Sequence, residues 1–255
     1  MNKLLVIGDI HGRTIWKEII EKENPDKVIF LGDYVDTHHL ISPKDQIENL
    51  EEILKYKEEN PDKVILLRGN HDLSELGYKW AKCSGLQQEV LTYMSSPDNR
   101  DRFLKNTQWI YIDEDLKTIF SHAGVSQVWL KESIEPYLVN KIGSQYDDGT
   151  IDLDIVLNYI NDIDPNENFG FIPDNMWDYC GDSVTQSCVW IRPQSLCKCM
   201  VEGYTQVVGH TPVKRECIDI YKATKGKQHL WLCDALHNRS YLVIEDGEFK
   251  PKELL

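Results

Sequence analysis

Five apolar runs along this chain are each followed by a short motif that combines glycine with a metal-competent polar residue. In chain order the motifs are Gly8-Asp9-Ile10-His11-Gly12, Gly32-Asp33-Tyr34-Val35-Asp36, Gly69-Asn70-His71-Asp72, Ser121-His122-Ala123-Gly124 and Gly209-His210-Thr211-Pro212. In an open α/β sheet the carboxyl ends of the strands meet at one crevice, where ligands bind. If each run is a strand, the fold must bring two aspartates, one asparagine and three histidines to one place.

The first seventy residues have the alternating pattern of a β-α-β-α-β unit. Strands are predicted at Lys3–Ile7, Val28–Leu31 and Val64–Leu67, and helices over Thr14–Lys22 and from Pro43 to Asn60. Such alternation predicts a mainly parallel sheet with right-handed crossovers.

The later part of the chain is less regular. Residues 73–106 have an irregular helical pattern. The remaining predicted strands are Trp109–Ile112 and Thr118–Phe120, which form a hairpin, then Gln206–Val208, Leu230–Cys233 and Tyr241–Ile244. We interpret the stretch at about 125–203, which has two weak helical patterns, as an insertion or cap-like region over the sheet. Residues 1–255 are expected to form one domain.

The composition excludes several classes of protein. The chain has 255 residues and a formal net charge of −14. An acidic chain gains no free energy from counterion release, so general nucleic-acid binding is not expected. No apolar run approaches the ~18 residues of a membrane span, and Leu4–Ile7 is too short for a signal-peptide core. We therefore expect a cytoplasmic protein with no membrane attachment.

The residue types in the five motifs point to metal chemistry. A glycine-aspartate pair after one strand is common turn chemistry, and a lone histidine there is usually a core residue. Five such motifs in a chain with only eight histidines are hard to produce by turn preference alone. Mixed oxygen and nitrogen ligands suit Mn²⁺, Fe or Zn²⁺, and two ions ~3.5–4 Å apart can activate water and offset phosphate charge.

Together the motifs resemble the signature of the calcineurin-like metallophosphoesterase superfamily. The resemblance is strongest to the bacterial and phage serine/threonine phosphatase-like branch of the phosphoprotein phosphatase family. The signature there reads GDxHG, GDxxDRG, GNHE and two further histidines; this chain carries GDIHG, GDYVDTH, GNHD, SHAG and GHTP in that order. The resemblance covers about residues 4–124 and 204–235. It implies an α/β sandwich of two β-sheets flanked by helices.

The resemblance also implies a role for each matching residue. The positions that match metal ligands are Asp9 and His11 for a first ion, Asp33 between two ions, and Asn70, His122 and His210 for a second. His71 matches the general acid, Asp36 the aspartate that orients it, and Arg68 an arginine that holds the substrate phosphate. The implied cofactor is a pair of divalent ions, with Mn²⁺ as the first choice and Fe, Zn²⁺ or Ni²⁺ as alternatives.

The sequence departs from the family pattern around the phosphate. Thr37-His38-His39 stands where arginine and glycine usually follow Asp36, so one phosphate-binding arginine is missing from its place. Arg192, within Val189-Trp190-Ile191-Arg192-Pro193, is a candidate replacement, with a solvated loop arginine as the alternative. His38 and His39 are expected to be exposed, with phosphate binding as the alternative.

The seven cysteines favour free thiols. Cys180, Cys188, Cys197 and Cys199 lie close together in the sequence, but their spacing lacks the paired CxxC pattern of a structural zinc site.

The expected reaction is hydrolysis of a phosphomonoester by metal-activated water. The first expected substrate is a phosphorylated protein, as for a serine/threonine protein phosphatase, or a small phosphate ester. The alternative enzyme is a pyrophosphatase of diadenosine polyphosphates or other nucleotides. A non-catalytic binding scaffold on the same fold ranks low, because such proteins tend to lose ligands or the general acid, and all of these residues are present here.

Overall fold

The computed structural model describes residues 3–37, 40–142, 153–165, 182–220 and 229–255. The strands are β1 (Lys3–Ile7), β2 (Lys27–Phe30), β3 (Val64–Leu66), β4 (Ile110–Asp113), β5 (Thr118–Ser121), β6 (Thr205–Pro212), β7 (Ile218–Asp219), β8 (Leu230–Asp234), β9 (Ser240–Glu245) and β10 (Glu248–Glu253). The α-helices are α1 (Trp16–Glu23), α2 (Pro43–Glu59), α3 (Asn70–Glu75), α4 (Gln88–Met94), α5 (Pro97–Asn106), α6 (Gln127–Trp129), α7 (Glu135–Ile142), α8 (Leu153–Ile160) and α9 (Pro193–Leu196).

These strands form two five-stranded sheets. Their orders are β10-β9-β1-β2-β3 and β4-β5-β6-β8-β7. Four neighbouring pairs are parallel (β1–β2, β2–β3, β5–β6 and β6–β8), and the other four are antiparallel. The predicted sandwich of two sheets with helices is confirmed. The sheets are mixed and not mainly parallel, because β9 and β10 return as a hairpin along the edge of β1 and β4 pairs with β5 as a hairpin.

Strand β1 explains how the first sheet is buried on both faces. Leu4 and Val6 lie in the apolar layer between the two sheets, whereas Leu5 and Ile7 lie in the layer that also contains Trp16 of α1. Successive side chains of a strand point to opposite faces, so a strand covered on both faces reads as a continuous apolar run.

The limits of α2 follow from local chemistry. Ser42 precedes the helix, and its hydroxyl accepts a hydrogen bond from the backbone N–H of Asp45 at 3.1 Å. Pro43 occupies the first turn, where its missing N–H costs nothing. Asn60 ends the helix, as predicted. Within the described residues, no helix combines the length and the apolar character that crossing a bilayer requires.

The described parts of residues 125–203 share the core of the first sheet. Trp129, Ile134 and Leu157 are buried in the same apolar cluster as Leu5 of β1. Trp190, from the same region, reaches the cavity discussed below. The interpretation of this region as an insertion stays a prediction.

Glu23, at the end of α1, is a buried carboxylate that joins this helix to the three strands β1, β9 and β10. It accepts hydrogen bonds from Lys252 Nζ and Tyr241 Oη, both at 2.8 Å, and forms an ion pair with Lys3 Nζ at 2.6 Å. Burial raises the pKa of Glu23, but the hydrogen bonds from Lys252, Lys3 and Tyr241 outweigh it and lower the pKa to about 2. The charged form therefore stabilises the fold.

We expect Glu23→Gln to lower the free energy of unfolding by ~1.5–3 kcal/mol at pH 7, because charge-assisted hydrogen bonds are lost. Since folding lowers the pKa of Glu23, its stabilisation is complete above the ordinary pKa of 4.5 and is lost as the pH falls towards about 2. Urea unfolding of the metal-free protein at pH 7 and pH 3 measures this. The gap between wild type and variant should narrow at pH 3; an equal gap at both values would contradict the assignment. Glu248→Gln, at an exposed position, is the control.

Candidate functional site

The five motifs meet at the carboxyl ends of the strands. Asp9 follows β1, Asp33 follows β2, Asn70 follows β3 and begins α3, and His122 directly follows β5. His210 lies within β6, where the pairing with β8 changes register between Val208 and Pro212. Irregularities of this kind re-aim side chains next to active sites.

Four residues of these motifs have a left-handed backbone. The φ angles are 44° at His11, 51° at Asp33, 62° at Asp36 and 59° at His210. This conformation is unfavourable for residues other than glycine, and such residues concentrate at functional sites.

Two motif glycines allow the neighbouring loops to touch. A Cβ atom added at Gly69 would lie 2.0 Å from Asp33 Oδ1, and one added at Gly209 would lie 2.2 Å from Asp9 Oδ1. Both distances are too short for any side chain. The glycines are therefore required by the close approach of the carboxylates.

Asn70, His122 and His210 form one group of donor atoms. Asn70 Oδ1 lies 2.8 Å from His122 Nε2 and 3.0 Å from His210 Nδ1. The other ring nitrogens bind backbone carbonyls, His122 Nδ1 to Leu31 at 2.8 Å and His210 Nε2 to Trp190 at 3.1 Å. Donating to a carbonyl through one nitrogen leaves the lone pair of the other for a metal.

Asp9, Asp33 and His11 lie beside this group. One ligand atom each of Asp9, Asp33 and His122 lies within 4.8 Å of the others. His11 Nε2 is 3.9 Å from Asp9 Oδ2 and 3.9 Å from Asp33 Oδ2. His11 Nδ1 is 2.5 Å from the carbonyl oxygen of Asp36, so its Nε2 faces the two carboxylates.

The electrostatics of this cluster favour a cation. Burial raises the pKa of Asp9 well above its ordinary value, and the nearby carboxylates of Asp234 and Asp33 raise it further. Burial also lowers the pKa of His210 and of His11, which favours the neutral rings that ligate metals. At His122 burial also lowers the pKa, but the charge of Asp33 outweighs it and raises the pKa to about 9. Crowded buried carboxylates facing imidazole nitrogens are a donor set that fits divalent metal ions.

His71 is held at the edge of the cluster. Its Nδ1 lies 2.5 Å from Asp36 Oδ2, and its backbone N–H donates to Asp33 Oδ1 at 3.0 Å. Burial lowers the pKa of His71, but the charges of Asp33 and Asp36 outweigh it and raise the pKa to about 9. The ring is therefore protonated at neutral pH.

Asp72 joins two of the motif loops. Its carboxylate accepts hydrogen bonds from the backbone N–H groups of Asp33 at 2.9 Å, Tyr34 at 2.8 Å and Gly69 at 2.8 Å. The shorter side chain that stands here in place of glutamate thus holds Asp33 and the loop before Asn70 at a fixed separation.

The cluster opens into a cleft with two adjoining cavities. The larger, of about 520 Å³, is lined by five of the six proposed ligands, all but the fully buried His122, together with His71, Trp190 and Arg192. The smaller, of about 260 Å³, is lined by Arg13 among others and shares His11, Pro212 and Asp234 with the first. The cleft therefore has a second compartment next to the cluster.

The two predicted phosphate-binding arginines lie in different places. Arg192 lines the larger cavity, and its Nη1 donates to the carbonyl oxygen of His210 at 2.7 Å and to Thr211 Oγ1 at 3.1 Å.

The structure does not bring Arg68 to the cluster, since it is not among the residues that line the cavity around the proposed ligands. Its guanidinium stacks on Trp109 and donates to Thr107 Oγ1 at 2.9 Å, to the carbonyl of Thr107 at 2.7 Å and to that of Leu104 at 2.8 Å. It lines a separate cavity. The contacts with Thr107 and Trp109 hold the Arg68 side chain away from the strand ends. These two residues lie next to Arg68 only in the folded chain, so the sequence alone does not reveal the contacts.

The sequence analysis missed several residues of the cleft, among them Asp234, Arg13 and Cys83. Asp234 ends β8 and could have been found by the same strand-end argument that identified Asp9. Arg13 directly follows the first motif, and Cys83 lies in the loop between α3 and α4, where nothing in the sequence distinguishes it. His38, His39 and Cys180 lie outside the described residues.

The other six cysteines form no disulfide within the described ranges. In the described ranges none of them belongs to a cluster of three or more metal-ligating side chains. Cys188 is buried, and Cys197 and Cys199 are partly buried.

Comparison with known proteins agrees with this geometry. Residues 2–219 match the family of calcineurin-like phosphoesterases. Among curated relatives, a symmetrical bis(5'-nucleosyl)-tetraphosphatase from Marinomonas is 31% identical over 133 residues, 49% of this chain and 45% of that protein. The corresponding protein of Photorhabdus laumondii is 28% identical over the same length, so less than half of each relative is matched.

Solved structures share the fold over nearly the whole chain. A cold-active protein-tyrosine phosphatase of Shewanella is 17% identical with a TM-score of 0.57, covering 98% of this chain and 80% of that one. A protein serine/threonine phosphatase from Saccharomyces cerevisiae is 14% identical with a TM-score of 0.57, covering 100% and 80%. Since the family match spans most of the sequence and its motifs meet at one cluster, the chain belongs to the calcineurin-like phosphoesterase family.

Proposed function

We propose that this protein is a metal-dependent hydrolase of phosphate esters. The observation that carries the proposal is that His122 Nε2 and His210 Nδ1 both lie within 3.0 Å of Asn70 Oδ1, beside the carboxylates of Asp9 and Asp33. Family membership supports the same reaction class.

In this proposal two divalent ions occupy the cluster. Asp9 and His11 would hold the first, Asn70, His122 and His210 would hold the second, and Asp33 would contribute to both. Mn²⁺ is the first choice, since the ligands are oxygen and nitrogen without thiolate. When bound, such ions lower the pKa of water towards ~7 and offset phosphate charge.

The remaining groups act on the substrate directly. His71 donates a proton from Nε2 to the leaving-group oxygen, while Asp36 holds Nδ1 and keeps the ring charged. Arg192 meets the phosphate oxygens at the wall of the larger cavity. A phosphorylated serine or threonine side chain is the first proposed substrate.

A dinucleoside polyphosphate is the second candidate substrate. Two observations favour it: the similarity to tetraphosphatases over 133 residues, and the smaller cavity with Arg13 beside the cluster. A panel of phosphoserine peptides, p-nitrophenyl phosphate and diadenosine tetraphosphate, assayed with Mn²⁺ and after chelation, tests both. Hydrolysis of none of them with Mn²⁺ bound would contradict the proposal.

Arg192→Ala is expected to lower kcat/KM by at least about tenfold, because a charge-assisted contact to phosphate is worth ~1.5–3 kcal/mol. Arg68→Ala is the matched control. It removes a buried arginine that does not reach the cleft, so it should reduce thermal stability while the folded enzyme keeps its kcat/KM. Steady-state kinetics at equal metal content measure both. Wild-type kinetics for Arg192→Ala on every substrate would remove Arg192 from the phosphate site.

A further inference from the structure

Asn70 can serve a metal ion in only one of two orientations. Its side-chain amide has an oxygen that can coordinate a cation and an NH₂ group that cannot. A half-turn about the last side-chain bond exchanges the two at almost no steric cost. Some contact must therefore keep Oδ1 towards His122 and His210.

That contact is made by Cys83. Asn70 Nδ2 donates a hydrogen bond to Cys83 Sγ at 3.1 Å, on the side of the amide away from the two histidines. The thiol donates in turn to the backbone carbonyl of Asn70 at 3.4 Å. The sulfur therefore engages both the side chain and the main chain of the same residue.

The position of Cys83 is itself fixed. Its backbone N–H donates to Ser74 Oγ at 3.3 Å, which ties the loop after α3 back to that helix. Asn70 and Ser74 are one turn apart on α3. The acceptor and the amide that it orients thus sit on the same short helix and its following loop.

We propose that Cys83 is a positioning residue, which orients the Asn70 amide so that its oxygen faces the metal cluster. This inference rests on the proposed function, since it assumes that Asn70 is a metal ligand. Groups that orient metal ligands typically change affinity by about 10–100-fold when they are removed. Cys83 has this effect on one of the two ions only, because only Asn70 depends on it.

Calorimetric titration of metal-free protein with Mn²⁺ tests the proposal. Cys83→Ala should weaken one of two binding events by about 10–100-fold and leave the other unchanged. Cys83→Ser keeps an acceptor and should retain most of the affinity. Cys197→Ala, at another partly buried cysteine outside the cleft, should behave as wild type.

Combining Cys83→Ala with a second substitution distinguishes an effect on the orientation of the Asn70 amide from an effect on packing. Asn70→Asp presents an oxygen in either orientation, so Cys83→Ala should have little effect on Mn²⁺ affinity when combined with it. Electron paramagnetic resonance gives an independent readout, because Cys83→Ala with two equivalents of Mn²⁺ should lose the coupled signal of an ion pair. Thermal unfolding of the metal-free variants checks that each is folded.

The outcomes are distinct. If wild type binds no Mn²⁺, the proposed function fails and this inference fails with it. If wild type binds two ions and Cys83→Ala binds them equally well, the inference is wrong and the proposed function stands. The inference is also wrong if Cys83→Ser is as weak as Cys83→Ala, or if the loss persists undiminished in the Asn70→Asp background.

Discussion

His71→Asn is expected to lower turnover of alkyl phosphate esters by about 10²–10⁴-fold, the usual contribution of a positioned general acid. The ring is charged at neutral pH because Asp33 and Asp36 raise its pKa to about 9 against the effect of burial. Since Asp36 binds Nδ1 at 2.5 Å, the proton available to a leaving group is on Nε2. Steady-state assays of a phosphoserine peptide, with metal content measured in parallel, give the effect.

The leaving group provides the control for this prediction. Nitrophenolate barely needs a proton, so the loss on p-nitrophenyl phosphate should be much smaller than the loss on an alkyl phosphate. Asp36→Asn should produce a weaker form of the same pattern, because it removes the group that orients the acid. An equal loss on both substrates would assign His71 to metal binding or to structure.

Asp33→Asn is expected to abolish tight binding of the ion pair and to lower kcat/KM by at least about 10³-fold, since bound ions supply several kcal/mol of charge stabilisation. Asp33 Oδ2 lies 3.4 Å from His122 Nε2 and 3.9 Å from His11 Nε2, between the two proposed groups of ligands. An amide keeps one oxygen but loses the negative charge that, in the proposed site, would attract both ions.

Elemental analysis after dialysis against Mn²⁺ measures the metal content of the Asp33→Asn variant. Asp62→Asn, on the exposed surface, is the matched control and should retain two ions per chain. If Asp33→Asn still held two ions tightly, a residue other than Asp33 would have to be the shared ligand. Retained binding of a single ion with a large loss of activity would agree with the bridging role.

The limits of several strands and helices could be predicted because they depend on residues close together in the sequence. Strand β1 has the predicted limits, and α2 runs from Pro43 to the residue before Asn60, since capping and proline chemistry act within a few residues. The antiparallel pairing of β9 with β1 was not predicted. It joins residues more than two hundred positions apart in the chain, and no local pattern encodes such a partner.

The sequence did not predict where individual side chains near the site point. Arg68 directly precedes the third motif, yet Thr107, thirty-nine positions later, draws it to another cavity. Cys83 reaches Asn70 only because its loop folds back on α3. Asp234 is a different case. Asp9 was identified because it follows a predicted strand. The same rule, applied to the end of β8, would have identified Asp234.

The left-handed backbone at His11, Asp33, Asp36 and His210 has a consequence for how this protein responds to selection. The left-handed conformation costs a residue with a Cβ atom up to about 1–2 kcal/mol of folding stability, whereas glycine adopts it freely. A screen for heat resistance alone would therefore enrich glycine at these positions and discard the donor atoms with it. If the proposed function holds, retaining these side chains requires selection for hydrolysis as well as for folding, so improved thermostability in a variant library should first be checked against metal content.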